Sequence, residues 1–294
     1  MQRFAIVDAP SILGLRPTGV EHLPEAMRAA GLLKRLNAEY VGEVSPPEYD
    51  PKRDEETLLL NPKAIRRYSK QLANAVTNVL HGKRFPIVLG GDCSIIIGNL
   101  LALRRLGRYG LFFIDGHADF YQPEASPTGE VADMDLAIVS GRGPDILANI
   151  DGLKPLVRDE DIVLFGNRDT EQAKSYGSQD VGETDINIFD LAKIQKIGIA
   201  KSTSEAIKKL VKRGTQGFWI HLDVDVLNDK DMPAVDYRLS GGLGYKDVSR
   251  LLRILLRSGK AIGIDITIFN PKMDLDGSIA RRLVSSLVAG ISAH

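Results

Sequence analysis

Short runs of consecutive apolar residues recur along the chain, and amphipathic stretches separate several of them. The runs predict buried β-strands at residues 3–7, 85–89, 111–114, 161–165, 218–222 and 261–266. Apolar positions at helical spacing predict helices over residues 61–81, 202–213 and 245–258, and another that ends near Leu106. Residues 43–56 are polar and contain three prolines, so a surface loop is expected there.

Strands that alternate with helices are typical of an α/β protein whose parallel sheet is covered by helices on both faces. The 294 residues suffice for one large domain, and no repeat or low-complexity tract divides them. We therefore expect a single domain over residues 1–294. In open sheets of this class, ligands bind at the carboxyl ends of the strands.

The chain carries 38 basic and 38 acidic residues, so its formal net charge is zero. This balance argues against nucleic acid as a partner, because that affinity rests on basic residues. It also argues against a polybasic membrane-binding surface. No apolar run reaches the roughly 18 residues of a transmembrane helix, and the N-terminus lacks the pattern of a signal peptide. Cys93 is the only cysteine, which excludes an intrachain disulfide and favours the reducing cytoplasm.

Three polar clusters stand at or just past the ends of predicted strands: residues 90–94 (GGDCS), 115–119 (DGHAD) and 223–225 (DVD). Side chains two apart on an extended chain point to the same side. Asp115, His117 and Asp119 can therefore present two carboxylates and an imidazole together, and Asp223 and Asp225 repeat this arrangement. We expect the three clusters to converge on one edge of the sheet.

These five side chains, with their excess of carboxylates, suit a hard or borderline divalent ion such as Mn²⁺. Carboxylates buried close together would repel one another unless a cation lay between them. A single such cluster is also compatible with a solvated turn or a capping cluster. Three clusters at one sheet edge favour a metal site.

At these residues the chain resembles the arginase/agmatinase (ureohydrolase) family, whose motifs are G-G-D-H-S, D-A-H-x-D and S-x-D-V-D. Here they stand as GGDCS, DGHAD and HLDVD, the last over residues 221–225. Residues 16–21, 168–169 and 263–271 resemble further family segments, so the likeness covers nearly the whole chain. It implies a three-layer α/β/α sandwich and metal-dependent hydrolysis of a guanidino-type C–N bond, with release of urea or a substituted urea.

The resemblance implies two Mn²⁺ ions per chain, with Asp115 and Asp223 as ligands shared by both. Cys93 and Asp119 would complete one ion's ligands, and His117 and Asp225 those of the other. Substrate contacts are expected from the loop that carries Tyr121 and Thr128, and from Glu171, which matches a family position. The partner is a small molecule, and a homo-oligomer is compatible with the family, although no sequence feature decides the oligomeric state.

Cys93 stands where the family has a histidine ligand. As a soft thiolate ligand it would shift metal preference towards Zn²⁺, Fe²⁺ or Co²⁺. As a small buried thiol it would only pack, and the centre could then work with one ion. His221, two residues before Asp223, is open to two interpretations, a group that supports the ligands or a core histidine.

Two further departures concern catalysis and substrate. Ala132 stands where the family has a histidine thought to shuttle protons, and Glu130 and Asp133 are the nearest ionisable replacements. Each is either a general acid/base with a pKa raised by burial or a surface carboxylate without a role. Ile268 stands where arginases place a glutamate that pairs with the substrate guanidinium, so a less basic or neutral group is expected.

These departures bring the chain closest to a cysteine-containing branch that includes the hydroxyarginine amidinohydrolase of D-cycloserine biosynthesis, and an N-hydroxyarginine-like substrate fits Ile268. Two other functions are compatible with the same departures. One is hydrolysis of another amide or amidine bond, and the other is a non-catalytic arginase-like protein that binds or regulates.

Overall fold

A computed structural model describes residues 3–211 and 214–292. Its centre is one sheet of eight strands, all parallel, in the order β2-β1-β3-β8-β7-β4-β5-β6. The strands are β1 (Phe4–Ala9), β2 (Glu39–Glu43), β3 (Phe85–Gly90), β4 (Gly110–Ile114), β5 (Ile162–Phe165), β6 (Asn187–Phe189), β7 (Phe218–Asp223) and β8 (Ala261–Thr267).

Two helical layers enclose this sheet. Helices α3 to α6 pack on one face, and α1, α2 and α8 to α11 pack on the other. Alternate residues of β4 point into the two apolar layers, Phe113 into the first and Phe112 into the second. The helices are α1 (Leu23–Ala29), α2 (Leu32–Leu36), α3 (Pro62–His81), α4 (Ile96–Leu106), α5 (Asp135–Val139), α6 (Asp145–Ala148), α7 (Thr170–Ser175), α8 (Leu191–Ile197), α9 (Ile199–Val211), α10 (Tyr245–Arg257) and α11 (Ser278–Ile291).

The predicted fold class, an α/β/α sandwich around a parallel sheet, is confirmed, and so are the six predicted strands and four predicted helices. The predicted end of α9 at Arg213 lies outside the described residues, as do both ends of the predicted domain. The apolar pattern missed β2 because this edge strand is mostly exposed, and missed β6 because it has only three residues. No helix in the described ranges is long and apolar enough to cross a bilayer.

The strand order brings the polar clusters together. Strands β3, β8, β7 and β4 are neighbours, and the GGDCS, DVD and DGHAD segments lie at their carboxyl ends. The turn after β3 needs a glycine at position 91, because a Cβ there would lie 1.7 Å from the Ser11 carbonyl oxygen. Asp92 then fixes the turn by accepting hydrogen bonds from the hydroxyl of Ser11 at 2.9 Å and the amide of Ser94 at 2.9 Å.

Candidate active site

A cavity of about 200 Å³ opens at the carboxyl edge of the sheet. Its floor carries the side chains of five of the predicted ligands: Cys93, His117, Asp119, Asp223 and Asp225. Asp115 lies directly behind them and is fully buried. Aromatic and apolar side chains form most of the walls: Leu15, Tyr121, Pro127, Ala132, Tyr176, Tyr237 and Ile268. The clusters separated in sequence thus meet in one small volume.

One side of the floor is the His117 group, made of Asp115, His117 and Asp225. The His117 Nδ1 lies 2.8 Å from Asp225 Oδ2 and 3.7 Å from Asp115 Oδ1. The Asp225 Oδ1 accepts a hydrogen bond of 3.0 Å from the amide of Gly116. A Cβ at position 116 would lie 2.4 Å from Arg168 Nη1 and 2.9 Å from Asp225 Oδ1, so a larger residue there would displace these side chains. The amide of His117 donates to Asp115 Oδ1 at 2.6 Å, so backbone amides hold both carboxylates beside the imidazole.

The other side is the Cys93 group, in which one ligand atom each of Cys93, Asp115, His221 and Asp223 lies within 4.8 Å of the others. The Cys93 thiol donates to Asp223 Oδ2 at 2.9 Å and lies 3.2 Å from Thr267 Oγ1. Asp115 belongs to both groups, as a ligand shared between two ions would. Cys93 also lies within 4.8 Å of Asp119 and Asp135.

The acidic groups of the floor are crowded and desolvated. Burial and the charge of Asp225 raise the pKa of Asp115 to about 6. Burial together with neighbouring carboxylates holds the pKa values of Asp119 and Asp223 well above the usual range. Burial would also raise the pKa of Asp225, but the adjacent His117 outweighs it and lowers that pKa. The cluster therefore lacks positive charge on the Cys93 side.

Several buried polar atoms here have no hydrogen-bond partner among the described residues: Asp115 Oδ2, His221 Nε2, and both carboxylate oxygens of Asp135. Such atoms are rare in folded proteins unless a water or an ion satisfies them. A mixed set of carboxylates, imidazoles and a thiol also suits borderline divalent ions. The residues present therefore fit a metal centre.

Asp135, at the start of α5, is a candidate ligand that the sequence patterns did not predict. It is fully buried, and burial reinforced by the charge of Asp115 holds its pKa well above the usual range. The spacing Asp133-Met134-Asp135 could have suggested a third pair of carboxylates. It does not predict which way the two side chains point, because Asp133 ends a 3₁₀ turn and Asp135 begins a helix.

The two candidate proton-transfer residues occupy different places. Asp133 lines the cavity, accepts a hydrogen bond of 3.2 Å from Thr128 Oγ1, and has its pKa raised to about 7 by burial and by Glu130. Glu130 is buried behind the wall, where it accepts a 2.6 Å hydrogen bond from Tyr237 and pairs with Arg16 at 3.1 Å. The surface alternative for Glu130 is wrong, because its side chain is wholly inaccessible to solvent.

Of the predicted substrate contacts, Tyr121 and Thr128 line the cavity. Glu171 is exposed on α7 and lies outside the cavity lining, whereas its neighbour Gln172 is part of it. A one-residue difference on a short helix turns the side chain to another face, and sequence spacing alone could not determine that rotation.

Ile268 lines the cavity in a rare backbone conformation. Its φ of 69° lies in the left-handed region, which is unusual for a β-branched residue and costs of the order of 1–3 kcal/mol. The Ile268 amide donates to the Gly91 carbonyl at 2.9 Å, which ties the end of β8 to the turn after β3. The surrounding structure therefore fixes this apolar side chain in the wall.

The chain and its fold are similar to those of known proteins. A sequence profile of the arginase family matches residues 2–293. An arginase from Staphylococcus aureus is 32% identical over 288 residues, covering 95% of this chain and 94% of that protein. An arginase from Bacillus caldovelox is 31% identical over 297 residues, covering 98% of each. Its crystal structure superposes with a TM-score of 0.88 over 100% of this chain and 99% of that one, at 29% identity.

Proposed function

Because this chain belongs to the arginase family, whose members hydrolyse C–N bonds of linear amidines, we propose that its acidic cavity is a dinuclear metal site that cleaves a guanidino-type substrate. The observation that carries the proposal is the convergence of two ligand groups on one floor, joined by Asp115. The products are urea, or a substituted urea, and an amine. The substrate is a small molecule, which fits the cavity volume of about 200 Å³.

His117 and Asp225 would hold one ion and Cys93 and Asp119 the other, with Asp115 and Asp223 as ligands of both. Mn²⁺ is the expected metal, and the thiolate of Cys93 widens the choice to Zn²⁺, Fe²⁺ or Co²⁺. Two such ions supply the positive charge that the aspartates lack and make water a better nucleophile. The fully buried position of Asp115 keeps its carboxylate away from competing bulk water.

Asp133 is the proposed proton carrier. Hydrolysis of an amidine C–N bond requires that the attacking water lose a proton and that the departing nitrogen gain one. A carboxyl group with a pKa near 7 can do both at neutral pH. The Thr128 hydroxyl orients Asp133, and Glu130 acts indirectly by raising the pKa of Asp133 and by holding Tyr237 in the wall.

Ile268 restricts the substrate. An apolar side chain at this position offers no counter-ion to a guanidinium group, and an unpaired charge is costly to bury. A less basic reacting group, such as an N-hydroxyguanidine, avoids that cost. We therefore propose an N-hydroxyarginine-like substrate, with plain arginine as the poorer one.

A substrate panel tests the proposal. Purified protein loaded with Mn²⁺, or with Co²⁺ in parallel, is incubated with arginine, N-hydroxyarginine, agmatine and guanidino acids, and urea or hydroxyurea is quantified. The proposal expects the highest kcat/KM for the N-hydroxyguanidine. Absence of any urea-type product with two ions bound would reject it, and amide or ammonia products would indicate hydrolysis of another amidine or amide bond. Fewer than one ion per chain would favour a non-catalytic binding protein.

The location in the cytoplasm and a homo-oligomeric assembly stay predictions. Fractionation of the producing cells tests the first, and sedimentation equilibrium of the purified protein tests the second.

A further inference from the structure

We propose that His221 is a ligand of the Cys93-side ion through its Nε2 atom, an inference that rests on the proposed metal centre and specifies it. The residue lies on β7 two positions before Asp223, so both side chains leave the same face of the strand. Its ring is completely buried and stacks on Phe113 with centroids 4.5 Å apart and planes 22° apart. The imidazole is thus held in one orientation.

The Nδ1 side of the ring is occupied. It forms a hydrogen bond of 2.5 Å with Asp265 Oδ2. The other oxygen of Asp265 accepts from Asn99 Nδ2 at 3.0 Å and from the Trp219 indole. A carboxylate surrounded by donors acts as an acceptor, so it places the imidazole proton on Nδ1. Metal-bound histidines usually have this support from a carboxylate on the opposite ring nitrogen.

The Nε2 atom of the ring has no hydrogen-bond partner among the described residues, although it is fully buried. It faces Asp115 Oδ2 at 4.0 Å, and that oxygen also lacks a partner. This separation exceeds the ~2.7–3.2 Å of a hydrogen bond. It suits an ion that contacts both atoms, since nitrogen and oxygen ligands lie about 2.0–2.2 Å from Zn²⁺.

His221 also changes the composition of the centre. Cys93, Asp115 and Asp223 are potential anions, and a neutral imidazole adds a ligand without adding negative charge. Each side of the centre then contains one imidazole, His117 on one and His221 on the other. Relative to the family motifs, a histidine is absent at position 93 and present at position 221, where the motif has serine. A thiolate with an imidazole favours Zn²⁺ or Co²⁺ over Mn²⁺ on this side.

Nuclear magnetic resonance of protein labelled with ¹⁵N-histidine tests the assignment directly. The wild-type protein is stripped of metal, titrated with Zn²⁺, and followed by long-range ¹H–¹⁵N correlation of the imidazole rings. The ring of His221 is identified by its loss in His221→Gln. We expect Nδ1 to keep its proton throughout, and Nε2 to move from the free unprotonated shift to the metal-bound shift as Zn²⁺ is added.

Affinity measurements give a second readout. His221→Gln should lower the affinity for one of two Co²⁺ ions by at least about 100-fold, and Asp265→Asn by about 10–100-fold. His81→Gln, an exposed histidine at the end of α3, is the matched control and should bind as wild type does. Should His221→Gln not fold, Asp265→Asn identifies the His221 ring instead, because loss of the Asp265 contact shifts the Nδ1 signal of that ring.

The outcomes separate the inference from the proposed function. If two ions bind while the His221 ring is unmoved or doubly protonated, His221 is a counter-charge or a core residue, and only the inference fails. If fewer than one Mn²⁺, Co²⁺ or Zn²⁺ ion binds per chain, the metal centre itself fails, and the inference with it.

Discussion

The thiol of Cys93 donates a hydrogen bond of 2.9 Å to Oδ2 of Asp223, so a predicted ligand from the turn after β3 directly contacts one at the end of β7. Burial, followed by the charge of Asp223, holds the pKa of this thiol well above its usual range. The thiol therefore keeps its proton in the metal-free protein, and a cation bound to the sulfur would displace that proton. Metal binding at this position must release a proton.

The first prediction concerns metal preference at position 93. Cys93→Ala should weaken the binding of one ion, and Cys93→His should restore affinity for Mn²⁺, because imidazole is the harder ligand. We expect a difference of at least about 10–100-fold between the two variants, because loss of a group that only supports a metal ligand already costs that much. Inductively coupled plasma analysis and chelator competition measure it. Unchanged stoichiometry and affinity in both variants would show that the thiol only packs.

The second prediction concerns pH and catalysis. Asp133 must first accept a proton, so kcat/KM should rise with pH as its carboxyl group ionises, and this rise is the acidic limb of the pH profile. The pKa of Asp133 is about 7 without metal, and two bound cations would move the limb to lower pH. Asp133→Asn should remove this limb and lower kcat by about 10²–10⁴-fold. Glu130→Gln is the informative comparison. Loss of the Glu130 charge should lower the pKa of Asp133 and so move the limb of the pH profile to lower pH. Persistence of the limb in Asp133→Asn would assign it to another group.

The third prediction concerns stability without metal. The pKa values of Asp115, about 6, and Asp133, about 7, lie above the ~3.9 of an unfolded aspartate, so the folded state binds more protons. Their contribution to the free energy of unfolding is present at low pH and is lost as the pH rises through 6 and 7. The Tm of chelator-treated protein should therefore fall between pH 5 and 8.

Divalent ions should reverse this trend at pH 8, because they bind the ionised carboxylates of the folded state. Calorimetry at both pH values, with and without Mn²⁺, measures the effect, and Asp133→Asn should flatten the dependence of the metal-free protein. A Tm of the metal-free protein that does not change with pH would contradict the raised pKa values.

The fourth prediction concerns specificity. Ile268→Glu should raise kcat/KM for arginine relative to N-hydroxyarginine by roughly 10- to 100-fold, the worth of a hydrogen bond to a charged group. Ile268→Gln is the control of matched shape without charge and should change the ratio much less. A ratio unaffected by Ile268→Glu would mean that the side chain at this position does not face the reacting group.

Much of the fold followed from the apolar pattern, because buried parallel strands are continuous apolar runs and the covering helices are amphipathic. The strands that the pattern missed are those that depart from that rule. Strand β2 has exposed side chains at the sheet edge, and β6 is too short to produce a run. Local periodicity does not predict the order of the strands in the sheet. That order places β3, β8, β7 and β4 side by side and so brings the polar clusters together.

The sequence by itself determined which residues stand together in each cluster, and the two-residue spacing predicted that their side chains face one site. The backbone leaves the strand at these positions, because β4 ends at Ile114 and Asp225 lies in a 3₁₀ turn, so the structure divides Asp223 and Asp225 between the Cys93 group and the His117 group. Only the tertiary structure brought Cys93 onto Asp223 and Asp135 beside Cys93, and turned Gln172 rather than Glu171 into the cavity. The tertiary structure also placed Asp265 against Nδ1 of His221 and left Nε2 without a hydrogen-bond partner among the described residues. Contacts between strands and the burial of single atoms arise from packing over long sequence separations, and no local spacing records them.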